Sequence, residues 1–178
     1  ASALQGALQL ASAAGSTVNG SQSISYLEID GHGHDSSRGI YVGYRNNVKI
    51  HHCTIKDFDR SGVYVDASQT TYPDLFITGF ELYDNNIISC SRRDGAGGGY
   101  PGSVRLRGTD GAKIYGNTFD DRARARGSNG NTFQIHRNKR LKTYNNTFYR
   151  NDHEVRSDGS VREWNFFWEE WNYRGDSE

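Results

Sequence analysis

Apolar residues along this chain alternate with polar ones in short bursts, and the bursts recur. The segments NVKIHHCTIKDF from Asn47, GFELYDNNIISC from Gly79, GAKIYGNTFDDR from Gly111 and RLKTYNNTFYRN from Arg140 align without gaps. Their apolar positions form columns: Val48, Phe80, Ala112, Leu141; then Ile50, Leu82, Ile114, Thr143; then Ile55, Ile87, Phe119, Phe148. First-column residues are 32, 32 and 29 apart, and SISYLEID is a fainter copy 26 residues earlier, with Ile24, Leu27 and Ile29 aligned. Fixed-period self-similarity marks a solenoid. Alternation such as Val48-x-Ile50 is strand spacing with one face buried. A second strand recurs in GIYVGY (Gly39), GVYVDA (Gly62), SVRLRG (Ser103) and TFQIHR (Thr132), with inward pairs Ile40/Val42, Val63/Val65, Val104/Leu106 and Phe133/Ile135. The link from second strand to next first strand is even, except between Val65 and Phe80, which carries the insertion SQTTYPDLF. No segment shows a sustained helical period. Two strands and two turns per repeat predict an all-β fold, a parallel β-helix of about five to six coils.

Between the apolar columns runs Cys53, Asn85, Asn117, Asn146. Asn tolerates left-handed backbone, and its amide can bond the equivalent amide one coil away, so the column predicts a stacked turn. Cys53 in that column reads as a small buried thiol. The pieces RGIYVGYRNNVKIHHCTIKDFDRSGVYV and GAKIYGNTF resemble right-handed parallel β-helix proteins of the pectate-lyase-like superfamily, across roughly residues 22 to 172. The resemblance implies a right-handed parallel β-helix. For function it implies a set of alternatives: polysaccharide lyases or hydrolases, uronan epimerases, phage tailspikes and non-catalytic surface fibres.

The 178 residues are expected to be one domain, or one piece of a longer solenoid. Residues 1–21 would be an earlier coil's strand or a helical cap, 22–172 the stacked coils, and 173–178 an open C-terminal end. Leu8 and Leu10 would sit where Ile40 and Val42 sit later, and Glu169 and Trp171 would begin another first strand. An open end invites a flanking domain or end-to-end contact, and the absence of Met suggests a processed or excised chain. Low hydrophobic content (34%) and 21 glycines suit thin-cored coils with many turns. Two cysteines, Cys53 and Cys90, form no disulfide framework, and a bridge between them lacks support. No apolar run is long enough to span a membrane and no signal peptide is visible, so no membrane partner is expected.

Function is expected from outward positions. On the first strand these are Lys49, Glu81, Lys113, Lys142 and the ladder His51, Tyr83, Tyr115, Tyr144. Such a ladder either offers ring faces to sugars or stacks on itself to stabilise a sheet. On the second strand they are Tyr41, Tyr64, Arg105, Gln134, Arg162 and, two residues on, Gly43, Asp66, Arg107, His136, Trp164. The connections into this strand lengthen from KDFDRS to SRRDGAGGGYPG and DDRARARGSNG, predicting walls beside a polar strip, and hence a cleft.

Charge adds a substrate class. Residues 92–142 hold twelve Lys/Arg against four Asp/Glu, net +8, whereas 1–91 (five against nine) and 143–178 (four against eight) are each −4. The basic block, with Arg92, Arg93, Arg105, Arg107, Arg122, Arg124 and Arg126, would attract polyanions and grip carboxylate or sulfate; the plain alternative is a solvated basic face. An acidic polysaccharide met outside the cell, by a secreted or cell-surface protein, is the expected partner. β-Elimination at a uronate needs a neutralised carboxylate, a base and an acid: Arg105 and Arg107 would neutralise, His136 or a nearby Lys or Arg would be the base, and Tyr64 the acid. Tyr41, Asp66, Arg92, Arg93, Arg122, Arg124, Arg126, Gln134 and Trp164 would line the substrate. Hydrolysis would want paired carboxylates, and Asp66 is the one outward acid of the second strand between Gly62 and Arg107. The resemblance implies that Ca²⁺ is an option, but Asp57, Asp59 and Asp66, or Asp120 and Asp121, read equally as solvated turn acids. The GHGHD motif, with His32, His34 and Asp35, resembles a metal cluster but reads more simply as a Gly-rich turn, so no metal site is assigned. Two other classes stay open: a fibre or adhesin that binds glycan without turnover, and, less suited to this scaffold, a nucleic-acid binder.

Overall fold

Each coil has three sides. The computed structural model describes residues 6–32, 38–67, 74–91, 102–120 and 131–149, and the backbone of His153–Val155, Val161–Glu163 and Phe167–Glu169. The second strand of every repeat joins a wide parallel sheet of Leu8–Ala11, Ile40–Gly43, Val63–Asp66, Gly102–Arg107, Asn131–His136 and Phe167–Glu169, in that order. The expected first strand is broken in two. Its first half forms a second parallel sheet of Ser23–Ser25, Lys49–His51, Glu81–Tyr83, Lys113–Tyr115 and Lys142–Tyr144. Its second half forms a third, of Glu28–Asp30, Thr54–Lys56, Asn86–Ile88, Thr118–Asp120 and Thr147–Tyr149. The expected columns are the observed registers: Leu82 pairs with Ile50 and Ile114, and Ile87 with Ile55 and Phe119.

The break comes from the Asn column and the residue before it. Tyr26, His52, Asp84, Gly116 and Asn145 all have positive φ, between 53° and 66°. The left-handed position is therefore one residue ahead of the asparagines, because the Asn side chain must point inward to find its partners. Asn117 Nδ2 donates to the carbonyls of Leu82 and Tyr115 and to Asn146 Oδ1, while its own Oδ1 accepts from the main-chain N–H and Nδ2 of Asn85. Asn85 repeats the pattern one coil earlier, and its Oδ1 accepts from the Cys53 N–H. Neither cysteine is in a disulfide, and both are buried. The Cys53 thiol points to the carbonyls of Ile24 and His51, the pair an asparagine would take there.

Inside the three walls the columns stack into one continuous core, in which Phe58, Phe80, Phe119 and Phe133 are the largest fully buried side chains. Each such side chain contributes roughly 1.5–3 kcal/mol of transfer free energy. The coils approach too closely for a side chain at Gly39, where a Cβ would run into the Gly62 carbonyl.

Both ends differ from a uniform repeat. Leu8–Ala11 is a strand, with Leu8 beside Ile40 and Leu10 beside Val42. At the other end, Arg162 does not continue the wide sheet as expected, and Trp164 lies outside the described residues. Val161–Glu163 instead pairs antiparallel with His153–Val155, and the sheet resumes at Phe167–Glu169, with Trp168 beside Gln134. Glu169 lies beside Ile135 and so belongs to the wide sheet, not to a new first strand. The inserted hairpin delays the coil, which no repeat-based alignment anticipates.

Candidate functional site

Stacking accounts for the inward residues, which leaves chemistry to the outer face of the wide sheet. Register sets its side chains in two rows: Tyr41, Tyr64, Arg105, Gln134, and Gly43, Asp66, Arg107, His136. Neighbouring strands are about 4.8 Å apart, so members of a row are within side-chain reach.

Tyr64 is the hub. The guanidinium carbons of Arg38 and Arg105 each lie 5.0 Å from its ring centroid, and Tyr41 packs against it at 5.4 Å and 50°. Its hydroxyl donates to Asp66 Oδ2 at 2.9 Å and accepts from Arg107 Nη1 at 3.3 Å. Arg107 Nη1 is 3.8 Å from Asp66 Oδ1. The structure thus brings five expected residues, Tyr41, Tyr64, Asp66, Arg105 and Arg107, into one contact set and places His136 beside Arg107 in register. It adds Arg38, which the repeat pattern could not reveal because Arg38 stands on the turn before the strand.

Much of this face is covered although it points outward. Tyr41, Tyr64 and Gln134 are 8%, 4% and 1% exposed. Gln134 Oε1 and Arg105 Nε are buried with no hydrogen-bond partner among the described residues. Arg92, Arg93, Arg122, Arg124, Arg126, Asp121 and Trp164, and with them the expected walls of a cleft, lie outside the described residues.

Burial, and then the charge of Asp66, push the Tyr64 phenol upward in pKa and do the same to Tyr41. Burial lowers the Arg38 guanidinium, with the Arg60 charge adding to it. Tyr115 is pushed up to about 12, by desolvation and by the Glu81 carboxylate that accepts its hydroxyl. These phenols keep their protons in the folded chain where the unfolded chain loses them, near pH 10. Their contribution is complete below about pH 10 and is lost as the pH rises through the folded values. A tyrosinate absorbance titration should show part of the 11 tyrosines lagging. Ionisation of all of them together near pH 10, without unfolding, would contradict this.

On the second sheet the expected ladder stacks on itself. His51 and Tyr83 are 4.7 Å apart at 9°, Tyr83 and Tyr115 5.0 Å at 3°, and Tyr115 and Tyr144 5.0 Å at 1°. Ring faces in the middle of the ladder are occupied by neighbouring rings, so they are not platforms for sugars.

The basic block also changes in three dimensions. Coil stacking sets acids of the sequence-acidic first half beside it: Asp66 faces Arg107, and Glu81 lies 3.7 Å from Lys113. Within the block, Asp110 holds Arg140 at 2.7 Å, and Lys139 Nζ sits 4.1 Å from the Phe76 ring centroid.

In GHGHD, the His32 N–H bonds Asp30 Oδ1 at 2.8 Å, an Asx-type turn, while His34 and Asp35 lie outside the described residues. The described acids do not form a calcium site. Asp66 is engaged by a phenol and a guanidinium, and among the described residues no three His, Cys, Asp or Glu converge on a metal position.

Over residues 18–161 the chain matches the family described as a right handed beta helix region. No curated protein and no solved structure matches it.

Proposed function

Since this chain belongs to the right-handed β-helix family, whose stacked coils leave only outward residues for recognition, we propose that it binds an acidic polysaccharide along the outer face of the wide sheet. The supporting observation is the placement of Arg105 and Arg107 as alternate outward residues of one strand, with His136 in register beside Arg107. A uronate or sulfate would exchange with Asp66 for the Arg107 fork, and guanidinium suits such planar anions better than ammonium does. Secretion or surface display follows from that partner.

A second reading, lyase chemistry of the pectate-lyase-like kind, uses the same residues. Arg105 and Arg107 would neutralise the uronate carboxylate, His136 would take the proton from the adjacent carbon, and Tyr64 would protonate the leaving oxygen. The hydroxyl of Tyr64, kept protonated by burial and Asp66, favours it as the proton donor.

The test is a panel of uronate-containing and sulfated glycans, read by calorimetry and by absorbance of the unsaturated uronate. Binding should weaken steeply with salt and by about tenfold or more in Arg107→Gln, the size of a charge-assisted hydrogen bond. Salt-sensitive binding without new absorbance supports the glycan-binding fibre; absorbance that disappears in His136→Ala supports the lyase. No binding to any acidic glycan, or binding indifferent to Arg105 and Arg107, would overturn the proposal.

A further inference from the structure

The geometry points to a second site, on the outer edge of the second sheet: we propose that His51 and His52 together bind a divalent transition-metal cation. In an extended strand, consecutive side chains leave on opposite faces. Here the turn prevents that. His52 has φ 54°, the left-handed turn conformation of every coil, and it swings round to the side of His51. The two Nδ1 atoms stand 2.8 Å apart, with the rings at 85°. The equivalent turn positions in the other coils are Tyr26, Asp84, Gly116 and Asn145, so the backbone geometry is general and the imidazole pair belongs to this coil alone.

Both rings are held in place. His51 stacks on Tyr83 at 4.7 Å and 9°, and its Nε2 is 2.9 Å from Ser23 Oγ. His52 stacks on Tyr26 at 5.0 Å and 28°, and its ring faces solvent. At this distance one Nδ1 carries a hydrogen and the other accepts it. A cation takes that hydrogen's place. The displaced proton moves through water to Nε2 of the same ring, so the neutral pair releases none. His51 Nε2–H then donates to Ser23 Oγ, the outer-shell bond that fixes a ligating imidazole. Tetrahedral zinc, with Zn–N of about 2.0–2.1 Å, separates two ligand nitrogens by roughly 3.3 Å, so the pair opens by about half an ångström and each ring turns its Nδ1 lone pair off the N–N line toward the shared ion. Imidazole donors suit Zn²⁺, Cu²⁺ and Ni²⁺ over Ca²⁺ or Mg²⁺. Among the described residues no third His, Cys, Asp or Glu joins the pair, so water or an incoming ligand's carboxylate completes the shell.

The test is calorimetric titration of the whole chain with ZnCl₂, alongside electron paramagnetic resonance with Cu²⁺. One ion per chain is expected, with hyperfine coupling from two imidazole nitrogens. His52→Asn keeps a residue that tolerates the left-handed turn, and should weaken binding more than about tenfold and leave one coupled nitrogen. Ser23→Ala should weaken it by about tenfold through the outer-shell bond, and His32→Asn should leave it unchanged. Absence of saturable one-to-one binding, or binding and hyperfine structure that survive in a folded His52→Asn chain, would overturn the proposal.

Discussion

Asn117→Ala is expected to destabilise the chain by about 3 kcal/mol, although it removes only a small polar side chain. Asn117 is almost wholly buried, and the substitution deprives the buried Asn85 N–H of its acceptor while the carbonyls of Leu82 and Tyr115 lose a donor. A buried group left without its partner loses the hydrogen bond and keeps its desolvation cost, about 1–3 kcal/mol for each neutral group. An apolar replacement of similar size does no better, since Asn117→Leu offers no acceptor. Asn146→Ala should cost less, because Asn146 is only partly buried and water can replace it. Hydrogen exchange reads the mechanism directly. In Asn117→Ala the Asn85 amide should lose protection, while the Cys53 amide, held by Asn85 Oδ1 at 2.9 Å, keeps more of it. Unchanged protection at Asn85, or a loss no larger than that of Asn146→Ala, would show that the ladder is ornamental.

Phe119→Ala should cost about 3–5 kcal/mol and split the unfolding transition. Phe119 is fully buried, stacks on Phe148 at 5.2 Å and 10°, and meets Phe133 edge-on at 5.1 Å. It therefore joins two successive coils and two walls. In a solenoid each coil touches only its neighbours, so the loss is not shared along the axis. Coils from Gly102 onward are expected to melt at lower urea while those around Ile50, Ile55 and Phe58 hold. A single cooperative transition shifted as a whole would mean that the stack behaves as one unit.

The repeat was legible because a solenoid writes its geometry as a period. Each coil must present apolar residues at the same places, so Val48, Phe80 and Ala112, or Ile55, Ile87 and Phe119, align along the chain as they do in space. The Asn column was legible for the same reason. The third wall was less so: the parity shift from Ile50 to Ile55 and the Asn column mark a bend, but not that Lys49–His51 and Thr54–Lys56 join two different sheets. Beyond Tyr149 the inserted hairpin breaks the period, so counting onward from the earlier coils misplaces Arg162 and Glu169.

At the candidate site, sequence identified the outward residues of the wide sheet and their rows, because period two and the repeat length together determine which side chains share a face. It also supplied the candidate groups Tyr64, Asp66, Arg105, Arg107 and His136. Only the tertiary structure decided what those groups do to one another. A local charge count makes residues 92–142 strongly basic, yet stacking sets Asp66 against Arg107 and Glu81 against Lys113, because neighbours in a β-helix are one coil apart rather than adjacent in the chain. The same holds for Arg38 over Tyr64, for the self-stacked tyrosines, and for the way a left-handed turn at His52 brings its ring to that of His51. Periodicity determines which face a residue occupies. Its partner is determined by side-chain reach between coils, a distance that the order of residues does not carry.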